Sequence, residues 1–223
     1  MKLRSYVKSI KNFLLDILFP TNCLGCQVKN EILCNNCVQK IQLAERETSV
    51  DILAVFDYRD LVIKKAIWEL KYHRKRYLGE KLGQLLYEFF IEDISDMKID
   101  VSGRSIYVIP TPISNKKTKM RGYNQALAIA KGFCNRAEIG VFELKDKVVI
   151  KKIDNIPQAK ISSRKRRLEN VRGVFEIKNL EIIKGRTIII VDDVTTTGGT
   201  ISEIIKILKK AGAKKVVGFA VAH

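Results

Sequence analysis

One stretch near the C-terminal end constrains the chain more than any other: Thr187-Ile188-Ile189-Ile190-Val191-Asp192-Asp193-Val194-Thr195-Thr196-Thr197-Gly198-Gly199-Thr200. Four apolar residues in a row, Ile188 to Val191, predict a strand buried on both faces, as in a parallel sheet. Two carboxylates then stand where that strand leaves the core. Five of the next six residues are Thr or Gly, and they lead into Ile201, Ile204, Ile205, Ile207 and Leu208, spaced as one face of a helix that Lys209, Lys210 and Gly212 bring to an end. The free N–H groups of such a turn and the dipole of the helix behind it favour a phosphate. The two acids do not want that phosphate. They suit the vicinal hydroxyls of a ribose, or a magnesium ion held through water, so the stretch reads as a ribose-5-phosphate site. A Walker-type loop is excluded, because no Gly-Lys-Ser/Thr follows.

This stretch resembles the signature of type I phosphoribosyltransferases, in which a hydrophobic strand is followed by two acidic residues and a Thr/Gly-rich loop that binds phosphoribosyl pyrophosphate. The competing reading is a polar strand-to-helix turn without a ligand. It is the weaker one, since adjacent acids at the end of a buried strand are costly unless used.

The chain of 223 residues has room for one α/β domain and a small appendage. Its 41 Lys and Arg against 24 Asp and Glu, a net charge of +17, point to polyanionic partners: nucleic acid, phosphorylated metabolites or an anionic membrane surface. No apolar run approaches 18 residues, so we expect no transmembrane segment, no secretory signal and a cytoplasmic location. Four of the five cysteines form two C-x-x-C pairs, Cys23/Cys26 and Cys34/Cys37, separated by seven residues. In a reducing compartment this spacing predicts a closed, structural zinc site of four cysteines, compact and without a hairpin of its own. A redox pair or unligated thiols are the alternatives. Cys134, alone on a predicted helix, reads as a core thiol.

In chain order, residues 3–18 carry an apolar helical stripe (Leu3, Tyr6, Val7, Ile10, Phe13, Leu14, Ile17, Leu18) with basic residues largely off it. Such a stripe packs against its own protein more often than it lies on anionic lipid, so peripheral membrane contact is the minor reading. From Ser49 the composition shifts, which sets the expected domains at 1–48 and 49–223. Ile52 to Tyr58 reads as a strand, and a helix through Leu70 ends in the basic, aromatic-bearing run Lys71-Tyr72-His73-Arg74-Lys75-Arg76-Tyr77. That run suits either nucleic-acid contact by phosphate and stacking or a solvated connector. A second helix covers Leu78 to Phe90, interrupted by Gly79 and Gly83, and residues 92–104 read as loop. The strand Ile106 to Ile109 ends in Pro110-Thr111-Pro112, a basic loop follows, and a helix runs from Met120-Arg121-Gly122-Tyr123-Asn124-Gln125 to about Ala137. Rigid backbone followed by cations suits a pyrophosphate. A last buried strand spans Val216 to Ala220.

Taken together, the cysteine pairs, Leu70-Lys71-Tyr72, Pro110-Thr111-Pro112, Arg121-Gly122-Tyr123-Asn124-Gln125 and the acidic stretch resemble the ComF family of competence-associated, phosphoribosyltransferase-like proteins. The resemblance leaves only residues 1–20 outside its motifs. It implies a mobile loop over the substrate, matched by Gln158, Arg167, Asn170, Gly173 and Phe175, though the Gln-to-Arg spacing is one residue long and Arg166 stands where the family has an acid. It implies a type I phosphoribosyltransferase-like α/β fold, with a mainly parallel central sheet and a small N-terminal zinc module of four cysteines. It also implies natural transformation as the setting, single-stranded DNA and other DNA-uptake proteins as partners, and phosphoribosyl pyrophosphate with magnesium as ligand. In the site so implied, Asp192 and Asp193 take the ribose hydroxyls and Val194, Thr195, Thr196, Thr197, Gly198, Gly199 and Thr200 the 5′-phosphate, while Pro110, Thr111, Pro112, Arg121 and Lys71 take the pyrophosphate. No base-reading pocket is legible, so two other readings stay open: a metabolic phosphoribosyltransferase acting on a base or amine, and a nucleic-acid-binding module whose pocket is a vestige or a sensor.

Overall fold

The computed structural model describes residues 21–45, 51–98, 105–152 and 173–223. The stripe at 3–18 and the loop residues Gln158, Arg164, Arg167 and Asn170 lie outside the described residues. The chain divides into two compact units, Met1–Ile41 and Gln42–His223.

In the first unit the two cysteine pairs each form a tight turn. Cys23 N–H donates to Val28 O at 2.9 Å and Gln27 N–H to Cys23 O at 3.0 Å, with Gln27 at φ 65° turning the chain. Cys34 caps a single helical turn, α1 (Asn35–Val38), and receives the Cys37 N–H at 3.0 Å. The one ladder contact among the described residues of this unit is an isolated antiparallel bridge, Asn22 to Lys29.

The second unit is built on a parallel sheet. Its strands are β1 (Ile52–Phe56), β2 (Ile106–Pro110), β3 (Phe142–Leu144), β6 (Thr187–Val194) and β7 (Lys215–Ala222), in the order β1-β7-β6-β2-β3, every neighbouring pair parallel. The expected buried strand is the central one: Ile188, Ile189, Ile190 and Val191 of β6 are all fully buried. A separate antiparallel pair, β4 (Val149–Lys151) and β5 (Phe175–Ile177), carries no strand signal of its own and packs Val149 and Phe175 into the same core.

The helices are α2 (Leu61–Tyr72), α3 (Arg76–Phe89), α4 (Ile91–Lys98), α5 (Asn115–Arg121), α6 (Gln125–Arg136) and α7 (Gly199–Lys210). Asp60 starts α2 by accepting from the N–H groups of Val62 and Ile63 at 2.8 and 3.1 Å. Two of these helices correct the sequence reading. Residues 91–98 are helical rather than loop, with Glu92 and Asp93 in the first turn and Ile94 as a fully buried anchor. The basic segment after Pro112 is likewise a helix, capped by Ser114, which accepts from Lys117 N–H, and ended by Gly122 at φ 78°.

The glycines that interrupt α3 have a packing reason. A Cβ at Gly83 would stand 1.9 Å from Ile129 O, and one at Gly132 of α6 would stand 2.0 Å from Glu80 O, so the two backbones touch through a glycine from each side. Neither obstacle is a side chain that can swing away. Gly132→Ala is therefore expected to destabilise the second unit by roughly 1–3 kcal/mol through overpacking, readable as a lowered urea midpoint.

Candidate functional site

β6 keeps strand geometry through its acids, with Asp192 level with Ala220 and Val194 level with Ala222 on β7. On the other side β2 stops at Pro110, opposite Val191, and Thr111 continues the pairing by donating its N–H to Val191 O at 2.9 Å. This brings Thr111 Oγ1 to 2.8 Å from Asp192 Oδ1. Asn124, the N-cap of α6, holds the Thr111 carbonyl with its side-chain amide at 2.9 Å and so ties the Pro-Thr-Pro turn to the Arg-Gly-Tyr-Asn-Gln motif.

Each acid spends one oxygen on backbone. Asp192 Oδ1 accepts the Asp193 N–H, and Asp193 Oδ1 accepts the Val194 N–H, both at 2.8 Å. Lys71, from the last turn of α2, places its Nζ 2.9 Å from Asp193 Oδ2. Arg121 lies nearby, its guanidinium donating to Gln125 Oε1 at 2.8 Å and standing 6.0 Å from the Tyr72 ring. The Tyr123 hydroxyl donates to the Leu70 carbonyl, anchoring this motif against the end of α2.

The electrostatics split the pair. Burial and the neighbouring Asp193 push the Asp192 carboxyl up to about 7. Burial acts the same way on Asp193, but Lys71 and Arg121 outweigh it and hold that carboxyl below the usual carboxylate range. Burial opposes the charge on Lys71 too, yet the attraction of Asp193 and Asp192 keeps it above the ordinary lysine value. Lys117 goes the other way, lowered by burial and by repulsion from Arg121. One consequence concerns stability. Because the native Asp192 takes up a proton that the unfolded chain releases near pH 4, its contribution falls as pH rises from about 4 to 7 and stays unfavourable above that. Asp192→Asn keeps an acceptor for Thr111 and is expected to raise the unfolding free energy by roughly 2 kcal/mol at pH 8, with the gain gone near pH 4. Urea titrations at the two pH values in metal-free buffer check this.

The turn after the acids has the donors an anion needs. Thr195 N–H goes to Ala222 O at 2.9 Å, Gly199 N–H to Thr197 Oγ1 at 3.4 Å and Ser202 N–H to Gly198 O at 2.8 Å. Among the described residues nothing accepts from the N–H groups of Thr196, Thr197 or Gly198. Gly198 sits at φ 71°, a left-handed position that turns the chain into α7.

The structure thus gathers Lys71, Thr111, Arg121, Asp192 and Asp193 at the C-terminal edge of the sheet, with the turn 194–200 leaving the same strand. It also enlists Lys117 and Asn124, for which sequence reasoning found no individual role although both lie in or beside the motifs it used. The basic run 71–76 does not act as one surface. Lys71 points at Asp193, Lys75 meets Glu69 at 2.9 Å, and Arg76 donates to Gly122 O at 3.3 Å. Next to it, on the outer side of α2, Trp68 and Tyr72 are about half exposed, with ring centroids 5.9 Å apart and His73 4.4 Å from Trp68. A lone Trp on the polar side of an amphipathic helix was the signal for this patch.

The four cysteine Sγ atoms lie within 4.8 Å of one another, with Cys23–Cys34 at 3.6 Å and Cys26–Cys34 at 3.5 Å. A tetrahedral site with metal–sulfur bonds of about 2.3 Å needs sulfurs about 3.8 Å apart, so the set fits a closed metal site. Cys134 is half-buried on α6, and burial pushes its thiol up to about 12, away from metal or redox work.

A central strand ending in paired acids and an open anion turn, in a parallel sheet, is the arrangement of type I phosphoribosyltransferases. The comparisons agree: residues 137–223 match the family described as the phosphoribosyl transferase domain. Across nearly its whole length the chain is similar to Competence protein F of Haemophilus influenzae, 25% identical over 218 residues and covering 90% of each protein. It is also 26% identical to the DNA utilization protein YhgH of Escherichia coli, over 82% of this chain and 74% of that one. Adenine phosphoribosyltransferase of Mycoplasmopsis agalactiae is 40% identical over a shorter span, 40% of this chain and 52% of its own. Among solved structures, a Leishmania donovani hypoxanthine-guanine phosphoribosyl transferase overlaps 65% of this chain and 67% of its own with 8% identity and a TM-score of 0.40. The similarity to Competence protein F and to YhgH thus runs over 90% and 82% of this chain, beyond the residues of the phosphoribosyl transferase domain alone. No helix among the described residues is long and apolar enough to cross a membrane.

Proposed function

We propose that the chain binds phosphoribosyl pyrophosphate with magnesium at the acid pair and serves DNA uptake by handling single-stranded DNA in the cytoplasm. The observation that carries the first half is the acid pair itself, half-buried beside cations and followed by an anion turn with unspent N–H groups. In this reading Asp192 and Asp193 receive the ribose hydroxyls, residues 194–200 the 5′-phosphate, and Pro110, Thr111, Pro112, Arg121 and Lys71 the pyrophosphate. Carboxylate oxygens are hard donors that suit magnesium held through water, which would offset charge on the leaving pyrophosphate. The residues of the chain then have three tasks: to align C1 of the ribose with an acceptor, to hold the pyrophosphate, and to exclude water. The four cysteines hold a structural zinc, which keeps no open position for a reactant.

Support for the second half is the similarity to Competence protein F and YhgH, the net charge of +17, and the exposed Trp68 and Tyr72 on α2, which also carries the exposed Lys64 and Lys65. Stacking on exposed rings and phosphate contact through surface cations bind single strands with little sequence preference. The likeness to an adenine phosphoribosyltransferase favours a second reading, turnover with a base or amine. Titrating the two ligands separately and together, with pyrophosphate release followed across a panel of bases, separates these readings. Binding of both ligands without base-dependent release is expected. For the DNA arm, log affinity should fall with log salt by roughly 0.7 per phosphate contacted, and Trp68→Ala should weaken binding by roughly 1–3 kcal/mol. A flat salt response together with an unaltered Trp68→Ala variant would remove DNA from the account.

A further inference from the structure

Three cations surround one pair of acids. Lys71 is in direct contact with Asp193, while Lys117 and Arg121 lie close enough to exchange charge effects with it and with each other. The contact with Lys71 is sheltered, the two side chains being 21% and 13% exposed. The strand backbone fixes one oxygen of Asp193 through Val194 N–H, so the ammonium holds the other, Oδ2. A metal ion or hydroxyl that takes Asp193 through that oxygen has to displace the ammonium.

We infer that Lys71 is an exchangeable counter-ion: it neutralises Asp193 while the site awaits its ligand, yields that carboxylate to magnesium arriving with phosphoribosyl pyrophosphate, and moves onto the diphosphate. The inference rests on the phosphoribosyl reading for its ligand, though not for the exchange itself. A sheltered carboxylate cannot be left unpaired without cost, so the ammonium leaves only when another cation replaces it. A lysine suits this better than an arginine would, being a compact point charge on a flexible four-carbon stem. Its position at the end of α2 also matters, since the residues after it, Tyr72 to Arg74, are exposed and do not wall it in. Among the described residues three cations face two acids, a surplus of positive charge that an incoming polyanion offsets. The exchange moves one positive charge from the acids to the diphosphate at the moment a divalent ion takes its place.

The exchange predicts opposite effects of one substitution. Lys71→Met removes a competitor for Asp193 and a partner of the diphosphate. Manganese alone, followed by the resonance of the free ion on zinc-loaded protein, should bind the variant at least tenfold more tightly than wild type. Magnesium phosphoribosyl pyrophosphate, followed by calorimetry, should bind it at least tenfold more weakly. Lys71→Arg, which keeps the charge, should leave manganese affinity near the wild-type value, and Asp193→Asn added to Lys71→Met should abolish the gain. The wild-type protein gives an independent reading: the protected ammonium nitrogen signal of Lys71 should shift when the magnesium ligand is added. If Lys71→Met binds manganese no better than wild type, or that signal does not move on ligand binding, Lys71 is a fixed structural partner and the exchange is refuted. If phosphoribosyl pyrophosphate binds neither wild type nor variant while manganese distinguishes them, the exchange stands and the identity of the ligand falls.

Discussion

Replacing Asp192 and Asp193 together by asparagine is expected to lower the affinity for magnesium phosphoribosyl pyrophosphate at least tenfold. Asparagine keeps a side-chain oxygen for Thr111 and for the two strand N–H groups, so the local fold has its bonds. What disappears is charge. Two charge-assisted hydrogen bonds at about 1.5–3 kcal/mol each far exceed the ~1.4 kcal/mol of a tenfold change. The single substitutions should differ, because the pair is asymmetric: Asp193 is held ionised by Lys71 and Arg121, whereas Asp192, raised to about 7, is partly protonated at neutral pH. Asp193→Asn should therefore cost the larger share, and the wild-type affinity should rise with pH as Asp192 ionises. Calorimetry on the three variants, with circular dichroism to check folding, measures this. An unchanged affinity in the double variant would move the ligand elsewhere.

Removing zinc should unfold the Met1–Ile41 unit and spare the Gln42–His223 unit. The first unit has one helical turn and one isolated bridge among its described residues, too little hydrogen-bonded structure to hold four thiols together unaided. Structural zinc in modules of this size contributes apparent binding energies of about 10–16 kcal/mol, which become folding energy. Protein purified without added metal should carry close to one zinc per chain, and a chelator should expose all four thiols to titration. Hydrogen exchange should then rise in residues 21–41 while the strands of the sheet keep their protection. Metal content near zero with freely titrating thiols would contradict the zinc reading.

Much of this architecture was legible because long, strongly patterned elements declare themselves. β6 did so through its apolar run, α7 through its apolar spacing, and the cysteine turns through their spacing. The missing pieces share a physical cause. β3, β4 and β5 have three residues each, too few for alternation to show. Among the described side chains of α4 the one fully buried anchor is Ile94, so its composition reads as solvent-exposed loop. α5 buries no residue at all, and its apolar periodicity is nil, yet the Ser114 cap and the Gly122 stop were both present as local signals. In the site, the acids and the turn were visible as one contiguous stretch. The Lys71–Asp193 pair was not, because it joins the end of one helix to the end of a distant strand, and only the fold sets them together. The same is true of Asn124 on the Thr111 carbonyl.

The central claim is that phosphoribosyl pyrophosphate sits with its 5′-phosphate in the turn after β6 and its ribose on the acid pair. Titrating nitrogen-labelled protein with the magnesium ligand and following backbone amides tests it most directly. The account predicts saturable shifts of Thr196, Thr197 and Gly198, whose N–H groups have no partner in the described residues, together with Asp192, Asp193 and Thr111. Inorganic phosphate alone should move the turn amides and leave those of the acids in place. Shifts absent from residues 195–200 at saturating ligand, or confined to other parts of the chain, would contradict it.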